Sequence, residues 1–373
     1  MDGRNPTVGE ARATSDTGTA SAAERRIAPI YERVLRPLLF RLDPETAHRL
    51  SQAALMQEFP WSLMRTRNLD AHRLAIRIGA WDLASPIGLA AGFDKNGDAV
   101  PGLQHLGFGY LTIGSILPEP SAGHPRPRLV RDVATEAMVN CYGLPSDGLE
   151  ACVAKFRRLA LRKFPAPVIA NIHTDSVASY EACVAVLAPY AQGIELALRC
   201  PNRADHISVY PVADLDHLLG TLRRRWPALP MFVKLPPYAN ELEKENRLEL
   251  VERAIRIGLT GITIPGNWTI EDKRLSRGQG SLSGRPTFAN NLKIVAEMAA
   301  VARGRIAIKA SGGVHTGEDA LRLLEAGASM IDIFTAFVYR GWNVAAKIEA
   351  ELLNRMDERG IARVSDLIGA RRP

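Results

Sequence analysis

Three side chains that can transfer protons or carry charge end short apolar segments of this 373-residue chain. Cys200 lies in GIELALRCPNRAD, residues 193–205, and a Pro-Asn pair follows it directly. A thiol at such a position is either a core residue or a reactive group, because its thiolate is a nucleophile and a base. Lys95 in AGFDKNG and Lys234 in FVKLPP end two other apolar segments. Their ammonium groups could stabilise a reduced, anionic cofactor ring or a substrate carboxylate, although most lysines are ordinary surface residues.

Eight apolar segments rich in β-branched residues provide the elements that would position these groups. They are IGLAAG, GYLTIGS, VIANI, GIELALRC, MFVKLP, GITIPG, RIAIKASGG and MIDIFTA, and amphipathic helical stretches separate most of them. Continuous apolar strands that alternate with helices indicate a parallel sheet covered on both faces. Eight such units in about 250 residues predict an α/β fold, the (β/α)8 TIM barrel, with functional residues at the carboxyl ends of the strands. No GxGxxG segment follows an early strand, which argues against a Rossmann domain.

Two turns follow the last two predicted strands. ASGGVHTGEDA places Gly312 and Gly313 before a helix, and FTAF, residues 334–337, stands at the start of the next one. The glycines could serve only a tight turn that needs a positive φ. Their position favours a phosphate site, because loops after strands seven and eight of such barrels commonly bind phosphate. Asn171, in VIANI, could hydrogen-bond the edge of a heterocycle or cap the following turn.

The segment before the barrel divides into a tail and a cap. Residues 1–26 are mostly small or polar, and we expect them to be disordered because they have little apolar surface to bury. Residues 27–75 begin with IAPIYERVLRPLLFRLDPETAHRLSQAALMQEF, with apolar residues at three- and four-residue spacing and Pro44 just inside a helix start. This pattern predicts two short amphipathic helices that form a small cap on a barrel spanning residues 76–373.

The composition argues against several classes of protein. The net charge of +7 comes mainly from arginines on predicted helices, whose simplest interpretation is solvated faces, although a basic surface also favours anionic membranes or acidic small molecules. No nucleic-acid-binding motif accompanies the charge, so we expect no nucleic-acid partner. The four cysteines show neither CxxC pairing nor a histidine at metal-ligand spacing, which argues against a metal site and favours reduced thiols in the cytoplasm. No apolar segment is long enough to span a bilayer, and the first residues lack the apolar core of a signal peptide.

Several long motifs resemble those of the FMN-dependent dihydroorotate dehydrogenases. They are IGLAAGFDKNG, GFGYLTIGSILPEPSAGHPRPRLVRD, GSLSGRP, ASGGVHTGEDALRLLEAGAS and IFTAFVYRG, and they occur in the order typical of that family. IYERVLRPLLFRLDPETAHRLS is similar to the helical cap of the membrane-associated, quinone-using branch. The resemblance covers about residues 28–350. It implies an enzyme of pyrimidine biosynthesis that binds FMN, oxidises dihydroorotate and passes the electrons to a quinone at the inner face of a membrane.

The resemblance also assigns roles to individual residues. It implies FMN contacts from Ala91, Gly92, Ser115, Asn171, Lys234, Gly284, Gly312, Gly313, Phe334 (a tyrosine in the family) and Thr335. Lys234 would lie at the pyrimidine edge of the flavin, and the Gly312-Gly313 turn would hold the phosphate. Substrate-contacting positions match Lys95, Asn140, Asn202 and, after a one-residue shift, Asn267, while His48 and Arg131 match the quinone tunnel. Cys200 stands where the catalytic base belongs.

The substrate side departs from the pattern of the family. The quinone-using branch has Asn-(Val/Ile)-Ser-Ser-Pro-Asn at the end of strand four, whereas residues 197–202 of this chain read ALRCPN, with the cysteine typical of the soluble branch. Ala197 therefore replaces an asparagine, and Leu144 and Pro145 replace a phenylalanine and an asparagine. Each lost amide leaves a polar group of a dihydroorotate ring unpaired, at a cost of about 1–3 kcal/mol.

Three functions remain open at this stage. The first is dihydroorotate oxidation in a hybrid active site, which the well-kept cap and barrel motifs favour. The second is a flavin-dependent reaction on a different, less polar cyclic carboxylic acid, which the lost amides favour. The third is a flavin-binding barrel without catalysis. We expect the first, with an activated Cys200 removing the acidic proton while the adjacent C–H passes a hydride to the flavin, and with peripheral membrane contact through the N-terminal helices.

Overall fold

The structure, a computed structural model, describes residues 30–64, 70–198 and 212–370. Its main element is a closed barrel of eight parallel strands in which strands consecutive along the chain are neighbours. The barrel strands are β3 (Ile87–Leu89), β4 (Leu111–Ile116), β7 (Val168–Ile172), β8 (Gly193–Ala197), β9 (Met231–Lys234), β10 (Gly261–Pro265), β13 (Ala307–Ser311) and β14 (Met330–Ile333). This barrel and the helices that precede it confirm the predicted fold class. The tail predicted for residues 1–26 lies outside the described residues.

The barrel strands lie in the eight predicted segments because both faces of each strand are covered. Every residue of β7, β8, β10 and β14 is buried, as expected for strands between a packed interior and an outer layer of helices. The helices of the barrel are Val100–Leu103, Leu149–Ala160, Val177–Leu187, Val212–Arg225, Glu241–Ile257, Phe288–Ala302, Gly317–Ala326, Thr335–Arg340 and Val344–Glu358. A capping box between Thr316 and Asp319 starts one of them, and Gly258 in the left-handed region ends another.

A short hairpin covers the amino-terminal end of the barrel. It consists of β1 (Ile76–Ile78) and β2 (Trp81–Leu83), which pair in antiparallel orientation. Trp81 stacks on Phe232 with ring centroids 5.9 Å apart. A Cβ on Gly193, the first residue of β8, would lie 2.6 Å from the same indole ring. The glycine therefore leaves the space in which the tryptophan closes this end.

A four-stranded antiparallel sheet, which the sequence analysis did not predict, stands at the opposite end. Its order is β11 (Trp268–Glu271), β12 (Gln279–Gly284), β6 (Ala137–Asn140) and β5 (Leu129–Asp132). The first pair is inserted after β10 and the second pair after β4. Because both insertions leave the barrel at the carboxyl ends of parallel strands, the sheet forms one wall of the barrel mouth.

The cap comprises several short helical elements. They are a π-helical turn at Tyr31–Leu35, the helices Arg36–Phe40, Pro44–Met56 and Ala71–Leu74, and a 3-10 turn at Trp61–Met64. The Asp43 carboxylate accepts a hydrogen bond from the Thr46 N–H at 3.0 Å, and Pro44 occupies the first helical position. The LDPETAH segment thus starts a helix where its pattern predicts one.

Ion pairs and hydrogen bonds attach the cap to the barrel side. Glu45 is buried, and its carboxylate lies 2.7 Å from Arg128 and 2.9 Å from Arg126. Burial raises the pKa of Glu45, but the hydrogen bonds and charges of the two guanidinium groups outweigh it, so the pKa lies below its ordinary value. Arg131 donates to the Leu42 carbonyl at 2.5 Å. The cap is therefore held over the barrel mouth by groups that remain charged at neutral pH.

Candidate active site

One cavity connects the barrel mouth with the space beneath the cap. Its volume is about 480 Å³, which lies within the range of small-molecule sites. Strand ends of the barrel, the antiparallel sheet and the helices Arg36–Phe40 and Pro44–Met56 all contribute to its wall. The polar and charged groups concentrate at the barrel end, whereas the cap helices contribute mainly apolar side chains. The cavity can therefore hold a polar molecule at one end and an apolar molecule at the other.

Most of the residues predicted to bind ligands lie on the wall of this cavity. From the cofactor set the wall contains Ala91, Gly92, Ser115, Lys234, Gly284, Gly312, Gly313, Phe334 and Thr335, and from the other sets Lys95, Asn140, Asn267, His48 and Arg131. Asn171 is fully buried behind the wall. Cys200 and Asn202 lie outside the described residues.

The Gly312-Gly313 turn exposes backbone to the cavity because its surroundings leave no space for side chains. Its φ angles are +127° and +79°, in a region that L side chains rarely adopt. A Cβ on Gly313 would lie 2.5 Å from the backbone of Phe288, and one on Gly312 would lie 2.5 Å from the Cα of Gly266. The close approach of Gly266 to this turn also explains why that position carries no side chain.

Gly313→Ala is expected to destabilise the fold more than Gly258→Ala. The two glycines have nearly the same φ, +79° and +80°, but a Cβ on Gly258 would meet nothing within 4 Å. Both substitutions place a side chain at a positive φ, which costs about 1 kcal/mol. Only Gly313→Ala also creates an overlap with backbone, which costs about 1–3 kcal/mol more. Denaturant unfolding of both variants measures the difference, and equal free energies of unfolding would contradict it.

Asn171 presents an unsatisfied oxygen next to the cavity. Its Nδ2 donates to Glu195 Oε1 at 2.7 Å, and its Oδ1 has no hydrogen-bond partner among the described residues. This orientation follows from chemistry, because an ionised carboxylate can only accept hydrogen bonds. Gly114, on the cavity wall, packs directly against the backbone of Asn171. A buried carbonyl oxygen without a donor is unfavourable, so this position favours a ligand that supplies one.

Lys95 is a half-buried cation on the cavity wall. Its Nζ donates to the Gly92 carbonyl at 2.8 Å and lies 4.4 Å from the ring centroid of Tyr142. Burial lowers the pKa of Lys95 to about 8, although the neighbouring Asp94 carboxylate opposes the shift. An ammonium group that has already lost much of its water is well suited to pair with a carboxylate.

Two amide side chains hydrogen-bond the same residue of the antiparallel sheet, Ser281. Asn140 Nδ2 donates to the Ser281 backbone carbonyl at 3.4 Å, and Asn267 Nδ2 donates to the Ser281 hydroxyl at 2.5 Å. Asn140 and Ser281 are paired in the register of β6 and β12. Asn267, which matches a substrate-contacting position only after a one-residue shift, therefore lies on the cavity wall together with Asn140.

One part of the wall at the barrel end is apolar. It includes Ala197, Leu144 and Pro145, three of the positions at which the sequence departs from the family pattern. The Ala197 carbonyl accepts hydrogen bonds from His173 Nδ1 at 2.7 Å and from the Tyr180 hydroxyl at 2.8 Å. The backbone is thus fixed just before residues 199–211, the segment that carries Cys200.

The cap end contains the two residues predicted for a quinone tunnel. The His48 ring packs edge-on against Phe93 with centroids 5.1 Å apart. Burial lowers the pKa of His48 to about 3, so its imidazole is neutral at physiological pH. The Arg131 guanidinium lies 4.3 Å from the ring centroid of Phe40. This end therefore combines apolar side chains with a neutral ring and one cation.

A layer of buried charge that was not predicted from the sequence lies beneath the barrel end of the cavity. Lys309 Nζ lies 2.6 Å from Glu195 and 3.5 Å from Asp332, and it donates to the Thr112 hydroxyl at 3.0 Å. Tyr110 donates to Asp332 at 3.0 Å. Each of the three charged residues is buried. The available signal was a single charged residue in each of three otherwise apolar strands, in GIELA, AIKAS and MIDI.

The described ranges lack two other types of site. No group of three or more His, Cys, Asp or Glu side chains there is arranged to hold a metal ion. Among the helices of the same ranges, none has the length and apolar composition needed to cross a bilayer.

Comparison with known proteins identifies the family. The family described as Dihydroorotate dehydrogenase matches residues 73–356. The chain is 33% identical to the mitochondrial dihydroorotate dehydrogenase (quinone) of Mus musculus, over 91% of this chain and 90% of the relative. It is 35% identical to the dihydroorotate dehydrogenase (quinone) of Methylococcus capsulatus, over 86% and 98%. The crystal structure of DHODH from Eimeria tenella in complex with ferulenol has a TM-score of 0.78 and 28% identity, covering 89% of this chain and 96% of that one. The chain therefore belongs to the dihydroorotate dehydrogenase family, and it is an oxidoreductase that acts on CH–CH bonds.

Proposed function

We propose that the protein binds FMN at the barrel mouth, oxidises dihydroorotate to orotate and passes the electrons to a quinone beneath the cap. The observation that carries this proposal is the continuous cavity, which joins a glycine turn, two lysines and two amides to an apolar space under the cap helices. The names of the curated relatives, dihydroorotate dehydrogenase (quinone), support the same substrate and acceptor. The family consists of flavoenzymes.

The residues on the cavity wall fit FMN. The Gly312-Gly313 turn offers backbone N–H groups at the place where barrels of this type bind phosphate, and a Cβ there would collide with neighbouring backbone. Lys234 ends β9 on the same wall and supplies a positive charge for an electron-rich ring. The Oδ1 of Asn171 has no hydrogen-bond partner among the described residues and can accept a hydrogen bond from a donor on the ring. When bound, FMN supplies the hydride-accepting chemistry, and the protein supplies orientation and charge.

The substrate would lie between Lys95 and the two amides. The Lys95 ammonium pairs with the carboxylate, and Asn140 and Asn267 reach the cavity from the antiparallel sheet to hydrogen-bond the ring. Cys200 removes the acidic proton next to the carbonyl. It follows the wall residue Ala197 by three positions, which is a reach of at most about 11 Å at 3.6 Å per residue. The thiol would need a lowered pKa to act as a base at neutral pH.

Binding of a carboxylate ligand is expected to weaken as the pH rises above about 8. Burial lowers the pKa of Lys95 to about 8, so its ammonium is charged below that pH and loses its proton above it. The affinity should then fall by up to about tenfold per pH unit, because the ligand binds the protonated form. Titration of the flavin absorbance with orotate between about pH 6 and pH 9 measures this dependence. Lys95→Gln is the control: it should bind orotate weakly at every pH, and a wild-type affinity that does not change with pH would contradict the assignment.

A second candidate substrate follows from the apolar part of the wall. Ala197, Leu144 and Pro145 offer no side-chain hydrogen bonds to the ring, which favours a cyclic carboxylic acid with fewer polar groups than dihydroorotate. Anaerobic reduction of the bound flavin by each acid in a panel separates the two candidates. Fast reduction by dihydroorotate supports the first, whereas reduction only by acids without ring amides supports the second. Protein that is purified colourless and takes up no FMN would exclude both.

The surface of the cap supports peripheral contact with a membrane at its inner face. Nine of the thirteen exposed large hydrophobic side chains of the described residues lie in the cap: Ile30, Val34, Leu35, Leu38, Leu42, Leu50, Met56, Phe59 and Leu63. Leu35 and Leu50 also line the cavity, so the cavity reaches this apolar surface. A quinone dissolved in the bilayer could enter there without crossing water. Arginines on the cap helices would add attraction to anionic lipids.

The double variant Leu38→Glu/Leu63→Glu is expected to bind vesicles several-fold more weakly than the parent. Both leucines are exposed, Leu63 at 76%, and each substitution places a carboxylate where a lipid surface is proposed. Leu161→Glu is the matched control, because Leu161 is 85% exposed but lies at the end of a barrel helix. Co-sedimentation with vesicles of phosphatidylcholine and phosphatidylglycerol measures binding. Equal losses for the cap variant and the control, or no loss in either, would argue against contact through the cap.

A further inference from the structure

The charged layer of Lys309, Glu195 and Asp332 lies directly under the floor of the cavity. Side chains two residues apart on a strand point to the same face. The three members of the layer each precede by two positions a wall residue of the same strand end, namely Ser311, Ala197 and Phe334. Asp332 itself also touches the cavity. The layer is therefore separated from any ring bound at the barrel mouth by no more than the next side chain on the same face of each strand.

The layer contains an ion pair at fully buried positions. Lys309 is completely buried, and the charges of Asp332 and Glu195 raise its pKa above the ordinary value although burial opposes this. Burial raises the pKa of Glu195, but Lys309 and Lys234 outweigh it and the pKa is lowered. Lys309 and Glu195 are therefore an ionised pair. Two other titratable groups of the described residues act on the layer, namely Lys234 on the wall and Tyr110, whose hydroxyl donates to Asp332.

We propose that this charged layer sets the reduction potential of the flavin, with Lys309 favouring and Glu195 opposing the reduced ring. The inference rests on the proposed FMN site. A reduced flavin carries more electron density than an oxidised one, so a nearby cation stabilises it and a nearby anion destabilises it. Such fields act strongly across a buried, weakly polarisable region. Glu195 also accepts the hydrogen bond of Asn171, which links the layer to a residue of the cofactor set.

A purely structural role for these residues makes a different prediction. Removing the charge of either Lys309 or Glu195 would then lower the stability of the protein and leave the reduction potential of the flavin unchanged. An electrostatic role instead predicts shifts of opposite sign, because Lys309→Met removes a positive charge and Glu195→Gln removes a negative one. Glu195→Gln retains the shape of the side chain, so it keeps the test available if Lys309→Met folds poorly.

The test is equilibration of the full-length, flavin-loaded protein with a redox dye under anaerobic conditions. For Glu195→Gln we expect the ratio of reduced to oxidised flavin at a fixed dye potential to rise roughly tenfold, about 30 mV for a two-electron couple, and for Lys309→Met we expect a similar fall. In the double variant Lys309→Met/Glu195→Gln the ratio of reduced to oxidised flavin should be close to that of the parent protein. Glu325→Gln is the matched control, since Glu325 is a buried carboxylate that pairs with Arg359 at 2.6 Å and does not line the cavity, and it should leave the ratio unchanged.

Two results would overturn the inference in distinguishable ways. Flavin that binds normally but shows no shift, or shifts of the same sign in both variants, excludes the charged layer as the determinant of the potential and leaves the proposed function intact. Parent protein that retains no flavin removes the proposed function and this inference with it.

Discussion

Cys200→Ala is expected to slow reduction of the bound flavin by the substrate by about 10²–10⁴-fold, the usual contribution of a positioned acid or base. The strand that leads to Cys200 ends on the cavity wall at Ala197, whose carbonyl is held by His173 and Tyr180. The three residues from Ala197 to Cys200 can span at most about 11 Å, and we propose that the thiol acts on a substrate paired with Lys95. Stopped-flow measurement of flavin absorbance under anaerobic conditions gives the rate.

The control for this prediction is another cysteine. Cys183→Ala should leave the rate unchanged, because Cys183 is 1% exposed in the helix Val177–Leu187 and burial raises its pKa to about 11. Oxidation of pre-reduced flavin by quinone should also be unaffected in Cys200→Ala, since that step needs no proton from the substrate carbon. An unchanged rate of substrate-dependent reduction in Cys200→Ala would remove Cys200 as the base.

Lys309→Met is expected to lower the free energy of unfolding by about 3–5 kcal/mol, because it leaves Glu195 buried without its cation. The two charged groups lie 2.6 Å apart and both side chains are almost completely buried. Removing one partner of such an ion pair causes a large loss of stability. Denaturant unfolding followed by far-ultraviolet circular dichroism measures the loss.

The double variant Lys309→Met/Glu195→Met should recover most of that loss. Replacing a whole buried ion pair by apolar groups of similar size is often close to neutral, whereas removing one partner is not. Asp332 keeps the hydrogen bond from Tyr110 in that variant, and burial raises the pKa of Asp332, which favours its neutral form. A double variant as unstable as Lys309→Met would show that the charge of Glu195 is not the source of the loss.

The barrel could be predicted from the sequence because its signal is local. Each barrel strand is a short apolar segment buried on both faces, so it stands out from the amphipathic helices around it. The cap helix beginning at Pro44 likewise has its start signal within a few residues. The glycine turn after β13 could be placed for the same reason, and the structure shows that the backbone of Phe288 would overlap a Cβ at Gly313.

The antiparallel sheet could not be predicted because its signal is not local. Its strands β5 and β12 are only partly buried, and β12 pairs with β6 across more than a hundred residues of chain. Nothing near Asn140 in the sequence indicates that it would lie beside Ser281. The charged layer was missed for a related reason, since a lysine inside an apolar strand becomes favourable only when carboxylates from two other strands surround it.

The placement of Asn171 refines the sequence prediction. The sequence allowed Asn171 either to hydrogen-bond a heterocycle or to cap a turn, and in the structure its amide is buried outside the cavity lining and donates to Glu195. Only its oxygen remains to meet a ligand. Asn171 thereby connects the cofactor set to the charged layer, a relation that no local pattern contains.

The most direct test of the central claim is anaerobic mixing of the purified, flavin-loaded protein with dihydroorotate, followed by addition of a quinone. We predict that dihydroorotate bleaches the visible absorbance of the flavin within about one second, as expected for a typical enzyme. One orotate should form for each flavin reduced, and the quinone should restore the absorbance. Flavin that stays oxidised in excess dihydroorotate, while the protein is folded and the cofactor remains bound, would contradict the account.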